Sequence, residues 1–227
     1  MAHDPITIKQ LLTALRGQVE ILEQRGDANG VVHAITDDSR AVTTGSLFVA
    51  VKGERVDGHG FIEQAIKAGA VGVVAQSSVP SGTVPFVQVA DSRKALGLLG
   101  SRFHGNPSAR LKMIGVTGTN GKTTTTYLCK ALLEGVGQRV GLIGTVGYQI
   151  GQESLPASHT TPGALDLQEL LSKMVESGLT AAVMEVSSHA LALDRTSGCE
   201  YDVAVFTNLT QDHLDFHHTM DEYFEAK

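Results

Sequence analysis

From Leu111 onward the chain alternates unbroken apolar runs with amphipathic segments, and that alternation leaves few folds open. Residues 111–116, 139–144, 180–185 and 201–207 read as strands, with a helix over 122–133 between the first two. Strands without polar alternation bury both faces, which is the condition of a parallel sheet with helices on both sides. Residues 145–160 read as a long loop, and Thr161 as the cap of a helix with Pro162 at its first position and Gly178 at its end. Thr219-Met220-Asp221-Glu222 is a capping-box signature opening a last helix. That helix reaches Lys227 with no glycine or C-cap for its last carbonyls, so the chain is expected to be cut from a longer protein.

The first hundred residues follow a less regular pattern. Thr7 can cap a short helix carrying Ile8, Leu11, Leu12 and Leu15 on one face, with Gly17 as its stop. Residues 31–37 and 46–51 read as strands around a Thr43-Thr44-Gly45 turn. A helix over 61–68 leads to a strand at 71–75; Pro80-Ser81-Gly82 marks a turn, and 85–89 a further strand. Asp91 caps a helix running toward Phe103. Gly105-Asn106-Pro107-Ser108 combines chain breakers with polarity and sets the expected boundary between domains 1–105 and 106–227.

Composition excludes several function classes. A formal net charge of −6 argues against a nucleic-acid footprint, which would be basic, so any phosphate recognition must be local. Cys129 and Cys199 lie far apart and form no metal-ligand spacing, as suits free thiols in a reducing cytosol. The N-terminus carries no basic segment followed by an apolar core, and no apolar run approaches the ~20 residues of a membrane span. A cytoplasmic protein with no membrane partner is expected.

The sharpest local signal runs from Gly115 to Thr124, Gly-Val-Thr-Gly-Thr-Asn-Gly-Lys-Thr-Thr, between a strand and a helix. Backbone N–H groups in such a turn, joined to a helix N-terminus, form a concave anion site. Lys122 supplies charge to β- and γ-phosphates and Thr123 a hydroxyl to Mg²⁺. The ordinary phosphate loop has its first glycine where this chain has Val116, so this is a shortened variant. Glu185 closes the strand 180–185, at the rim where open α/β sheets bind ligands, and is a candidate Mg²⁺ ligand. Asn208, Asp212, His213 and Asp215 follow the next strand end; among these a histidine is an unusual partner for magnesium.

Three motifs, in order, resemble the Mur ligase family of ATP-dependent peptidoglycan enzymes: Gly118-Thr119-Asn120-Gly121-Lys122-Thr123, Met184-Glu185-Val186-Ser187-Ser188-His189, and the run from Thr207 to Asp215. Further segments resemble the members that add the third peptide residue to UDP-N-acetylmuramoyl-L-alanyl-D-glutamate. Asp38-Ser39-Arg40 with residues 45–50 is similar to their uridine-binding domain, which implies Ser39 at the nucleotide. Asp57-Gly58 matches the first domain's substrate loop, whereas Glu54-Arg55-Val56 departs from it. Thr160-Thr161-Pro162 is similar to a loop contacting the sugar-peptide, and Ser187 and Arg195 are implied to touch the same substrate; at Leu193 a polar contact of some relatives is missing. Tyr223 to Lys227 resembles the segment ending in a lysine that these enzymes carbamylate.

The resemblance implies a three-domain architecture, of which this chain holds the uridine-binding domain and part of the ATPase. Residues 118–124 are implied to hold ATP, Thr123, Glu185, His213 and carbamylated Lys227 to hold Mg²⁺, and Lys122, Lys227 and His213 to serve catalysis. The implied reaction passes the γ-phosphoryl of ATP to the D-glutamyl carboxylate and then joins diaminopimelate or lysine to the acyl phosphate, diaminopimelate being the preferred expectation. The domain that presents the amino acid would lie outside this chain, which alone is expected to be inactive. A sibling ligase for another peptide residue and a non-catalytic nucleotide-binding module are the alternatives.

Overall fold

The computed structural model describes residues 5–53, 56–78 and 83–227; the Pro80-Ser81-Gly82 turn and Glu54-Arg55 lie outside them. Contacts divide the chain into two compact units, Met1–His104 and Gly105–Lys227.

In the first unit, strand β1 (Ile6–Thr7) runs into helix α1 (Ile8–Leu11). Thr7 caps α1, and Gln10 returns a bond to the cap, so two otherwise orphaned donors are satisfied. The helix tightens into a 3₁₀ turn at Leu12–Leu15, and Ile8, Leu11, Leu12 and Leu15 are all buried. Then come β2 (Ile21–Arg25), β3 (Val31–Val32), β4 (Ala34–Thr36), β5 (Ser46–Ala50), α2 (Ile62–Lys67), β6 (Gly72–Ala75), β7 (Phe86–Val89) and α3 (Ser92–Phe103). Asp91 caps α3 through the amides of Arg93 and Lys94. The sheet order is β2-β7-β6-β5-β4, parallel except for β2, while β1 and β3 form a separate antiparallel pair. On one face Phe48, Ala50, Val73 and Ala75 pack with Ile62 and Ala65 of α2.

The strand β2 was not expected from sequence. Ile-Leu-Glu-Gln-Arg shows no apolar alternation, because an edge strand with half-buried positions needs little of it.

The second unit opens with a 3₁₀ turn, Pro107–Arg110, and continues β8 (Lys112–Thr117), α4 (Lys122–Gly135), β9 (Val140–Gly144), β10 (Gly147–Ile150), β11 (Glu153–Leu155), α5 (Ala164–Glu176), β12 (Ala181–Glu185), α6 (Ser188–Ala192), β13 (Val203–Phe206), α7 (Leu214–His217) and α8 (Met220–Glu225). Its sheet order is β11-β10-β9-β12-β8-β13. The four strands β9, β12, β8 and β13 are parallel, and the hairpin β10-β11 extends one edge antiparallel. Alternation along β8 and β12 sends Met113, Ala182 and Met184 to α5, where Leu167, Leu171 and Met174 meet them. Val116, Ala181 and Val183 go to the opposite face, against Cys129 and Leu133 of α4. Helices therefore cover both faces, as continuous apolar strands require.

Two expectations are corrected here. The loop read over residues 145–160 contains β10 and β11, joined at Gly151-Gln152 with Gly151 at φ +60; strands of four and three residues are too short to show a period. Thr161 does not cap α5, whose N-cap is Gly163. Thr161 is 1% exposed, and its hydroxyl donates to the Glu185 carbonyl instead.

Candidate active site

The parallel strands end on a common rim, and the shortened phosphate loop lies there between β8 and α4. Gly118 has φ +133, and a Cβ at this position would collide with the Thr207 hydroxyl and sit 3.0 Å from the Asn208 carbonyl. Only glycine lets the loop come that close to the segment after β13. Gly121, at φ +84, is the N-cap of α4 and has no capping side-chain bond. The first-turn N–H groups of a helix lack intrahelical carbonyls, so this end is available to an anion.

The loop is strapped to residues 207–210. The Thr119 amide donates to the Asn208 carbonyl at 2.9 Å, and the Asn120 amide to Asn208 Oδ1 at 3.1 Å. The Asn120 carbonyl accepts from Thr207 Oγ1 at 2.8 Å and Asn208 Nδ2 at 3.0 Å.

Two lysines converge on this loop. Lys122 folds back so that Nζ donates to the carbonyls of Gly118 and Thr119, both at 2.8 Å. Lys227 donates to the same Gly118 carbonyl at 3.1 Å and to Thr117 Oγ1 at 3.2 Å. Burial pulls the Lys122 ammonium below the ordinary lysine range, against the pull of the Glu185 and Asp212 carboxylates. Lys227 falls further, to about 8, through burial first and then repulsion from Lys122.

Beside the loop, Glu185 ends β12 and is 1% exposed. Its carboxylate accepts from the Thr123 hydroxyl at 3.0 Å, the Thr145 amide at 2.9 Å and the Thr145 hydroxyl at 3.1 Å. Thr145 Oγ1 and Thr160 Oγ1 are 3.0 Å apart. Thr161 Oγ1 accepts from the Ser187 amide at 3.0 Å, and the Thr161 carbonyl accepts from Arg195 at 3.2 Å. One network thus joins Thr123, Thr145, Thr160, Thr161, Glu185, Ser187 and Arg195.

His213 lies in an aromatic cluster. Its ring is 4.7 Å from that of His189 and 6.2 Å from that of Tyr223, and its backbone has φ +51. Burial, then the neighbouring His213 and His217, push His189 below the usual imidazole range.

In the first unit, Asp38, Ser39, Phe48, Gly58 and Phe61 line a separate cavity of about 670 Å³. Arg40 bonds Asp38 through both Nε and Nη2, which holds the Asp38 carboxyl down at about 2. Asp57 caps a 3₁₀ turn and lies 2.6 Å from His59 Nδ1. Because His59 Nε2 accepts from the Gln76 amide, its proton is on Nδ1 and is donated to Asp57.

The Mur ligase middle domain matches residues 116–227, and the family description "Mur ligase family, catalytic domain" matches residues 31–104. This chain belongs to the Mur ligase family. It is 55% identical over 199 residues to the UDP-N-acetylmuramoyl-L-alanyl-D-glutamate–2,6-diaminopimelate ligase of Geobacillus thermodenitrificans, a match covering 88% of this chain and 40% of that protein. A solved structure of a ligase of that name superposes with a TM-score of 0.83 at 31% identity, over 98% of this chain and 44% of its own. A MurF ligase from Thermotoga maritima, solved in complex with ADP, is 28% identical with a TM-score of 0.56, over 85% of this chain and 41% of its own. The chain spans less than half the length of these relatives.

Within this Mur ligase chain, Lys122, Thr123, Glu185 and Lys227 meet at the rim, and Thr160, Thr161, Ser187 and Arg195 adjoin Glu185. Ser39, Asp57 and Gly58 belong to the first unit. The Thr123–Glu185 oxygen pair suits magnesium, which prefers oxygen donors. Among the described residues no three His, Cys, Asp or Glu side chains gather into a metal cage; magnesium commonly retains waters and phosphate oxygens in place of one. No helix among the described residues is long and apolar enough to cross a membrane. Sequence reasoning missed Thr145, which lay in the supposed loop yet supplies two of the donors to Glu185.

Proposed function

We propose that this chain is the uridine-binding and partial ATP-binding portion of a ligase that adds a third amino acid, meso-diaminopimelate, to UDP-N-acetylmuramoyl-L-alanyl-D-glutamate. The observation that carries the reading is the convergence of Lys122 and Lys227 on one loop carbonyl, beside the Thr123–Glu185 oxygen pair. The Lys122 cation and an open helix N-terminus face the place where a triphosphate would lie, and the sequence relatives carry the matching substrate in their names.

A D-glutamyl carboxylate oxygen attacks the γ-phosphorus of ATP, and ADP leaves. The amine of the incoming amino acid then attacks the acyl carbon, loses a proton and expels inorganic phosphate. Phosphorylation converts an oxide leaving group into phosphate, which is why a carboxylate that resists amines becomes reactive. Lys122 turns from the carbonyls of Gly118 and Thr119 to the β- and γ-oxygens and neutralises charge there. Thr123, Glu185 and His213 are the side chains that would hold or orient Mg²⁺, which screens phosphate charge when bound. In the second unit Thr160, Thr161, Ser187 and Arg195 are the substrate residues; in the first, Ser39 serves the nucleotide and Asp57 and Gly58 belong to the substrate loop.

Lys227 serves as a carbamate. With a pKa of about 8, roughly a tenth of it is neutral at pH 7, and the neutral amine is the form that adds CO₂. The product is an anion with two oxygens, in place of a second ammonium beside Lys122.

Lys122→Ala in the whole enzyme is the test. Alanine is harmless at a helix start, so the fold should persist while ligation falls by at least ~100-fold at saturating ATP and Mg²⁺. Activity near wild type would refute the role. Calorimetry with the UDP-muramoyl-dipeptide against UDP-glucose tests the substrate; equal binding of both would sink it.

A further inference from the structure

We propose that Tyr223 is a positioning residue for the ATP phosphates: its phenol locks Thr119 of the phosphate loop to helix α8, which ends two residues before Lys227. The inference rests on the nucleotide-site reading above and gives a role to Tyr223, which that reading names only as the start of the segment leading to Lys227.

Thr219 caps α8 by accepting from the Glu222 amide, which sets the helix register. In that register Tyr223 turns inward and is fully buried, while the next residue, Phe224, is 54% exposed. Lys227 follows Tyr223 by four positions, just past the end of α8, where its amide donates to the Phe224 carbonyl at 3.0 Å. Lys227 Nζ lies 4.9 Å from the Tyr223 ring centroid.

The neighbouring bonds favour the phenol as the donor in the central contact, because the Thr210 carbonyl can only accept. Thr119 Oγ1 has a single hydrogen, and it goes to the Thr210 carbonyl at 3.1 Å. The Thr210 amide donates to the same oxygen at 3.0 Å. Tyr223 Oη lies 3.1 Å away, so the phenol is the donor and fills the second acceptor position of the threonine hydroxyl. All three bonding positions of Thr119 Oγ1 are then used, in a residue that is 7% exposed.

The consequence is mechanical. Thr119 adjoins Gly118, whose carbonyl receives both lysines. The phenol fixes the loop at Thr119, and Lys227, four residues after Tyr223, reaches the adjoining Gly118 carbonyl. Loop position and lysine position are therefore both tied to α8, the first through Tyr223 and the second through the short turn that follows it. Tyr223 touches no reacting atom in this arrangement; it acts through Thr119.

Tyr223→Phe keeps the ring and removes only the donor. In the 227-residue chain, affinity for Mg·ATP is measured by calorimetry alongside Lys122→Ala, Thr119→Val and the Thr119→Val/Tyr223→Phe double variant. The expected result is about tenfold weaker binding for Tyr223→Phe, a larger loss for Thr119→Val, which also gives up both bonds to Thr210, and a double variant no worse than Thr119→Val alone. Amide exchange at residues 119–121 should quicken in Tyr223→Phe while strand β5 of the first unit keeps its protection. If Lys122→Ala abolishes binding and Tyr223→Phe leaves it unchanged, the lock is overturned and the nucleotide site stands. Losses that multiply in the double variant, or exchange that quickens throughout the second unit, would reduce Tyr223 to general packing and overturn the proposal. Absence of Mg·ATP binding by the unsubstituted chain would refute the nucleotide-site reading, and the positioning role with it.

Discussion

In the first unit Arg40 reaches Asp38 and His59 reaches Asp57, each across two positions. In the second, Thr123 meets Glu185 across 62 positions, Tyr223 meets Thr119 across 104 and Lys227 meets the Gly118 carbonyl across 109. Both units are built on mostly parallel sheets with polar groups gathered beside them, so fold class does not explain the contrast. The bonds at Asp38 and Asp57 shape their own segments, and the longer tie there, from the Gln76 amide to His59, spans only 17 positions. Long-range bonds make a site whose parts depend on one another, as a loop that must meet a triphosphate at fixed distances requires.

The largest expected effect compares two glycines. Gly118→Ala forces a side chain into the Thr207 hydroxyl at φ +133, and should destabilise the second unit by about 3 kcal/mol. Gly17 also has positive φ, at +71, but nothing lies within 4 Å of its would-be Cβ. Gly17→Ala should therefore cost only the backbone preference, about 1 kcal/mol. Urea denaturation followed by amide exchange reports each unit separately. Equal costs would mean that the strapped loop yields as readily as an open turn.

What could be read in the sequence divides along the same line. The turn Gly118-Thr119-Asn120-Gly121, Lys122 at the start of a helix and Glu185 at a strand end are all local features, visible in a window of ten residues. Asp91 and Thr7 announced their helices in the same way. Thr161 misled because a threonine before proline looks like a cap, whereas its hydroxyl is claimed by a carbonyl 24 positions away. The Tyr223–Thr119 bond carried no local signal at all. Nor did β2 and the β10-β11 hairpin, whose short, polar strands are held by pairing with neighbours more than by their own pattern.

A middle-sized effect sharpens the contrast with paired carboxylates. Glu185→Gln replaces one of two buried acceptor oxygens with a donor, facing three donors from Thr123 and Thr145. The expected loss is about 1–2 kcal/mol of stability, measured by urea denaturation. Asp57→Asn keeps an oxygen for the His59 amide, and asparagine caps as well as aspartate, so stability should hold within about 0.5 kcal/mol. A large loss at Asp57 would show that the first unit's site is more cross-linked than its bonds indicate.

The smallest effect is a pH dependence that belongs to the second unit alone. Lys227 drops from 10.5 to about 8 on folding, through burial and then the charge of Lys122. Between those values the unfolded chain keeps a proton that the folded chain has shed, so this group makes stability rise with pH across the window. Below about pH 8 both states hold the proton, and the cost of keeping an ammonium beside Lys122 is felt in full. Lys227 is only half buried, so solvent screening holds the effect to about 1 kcal/mol or less. The measurement is urea denaturation in CO₂-free buffer from pH 7 to 10.5, on the unsubstituted chain and on Lys227→Gln. All other lysines and tyrosines titrate in both chains, so the difference between the two curves isolates Lys227. The unsubstituted chain should gain on the variant as pH rises, most steeply between 8 and 10. Bicarbonate added at pH 8 should move the unsubstituted chain in the same direction, because a carbamate removes the second ammonium from the Gly118 carbonyl, and should leave Lys227→Gln where it was. Parallel curves under both conditions would place the Lys227 amine in solvent and detach it from the loop.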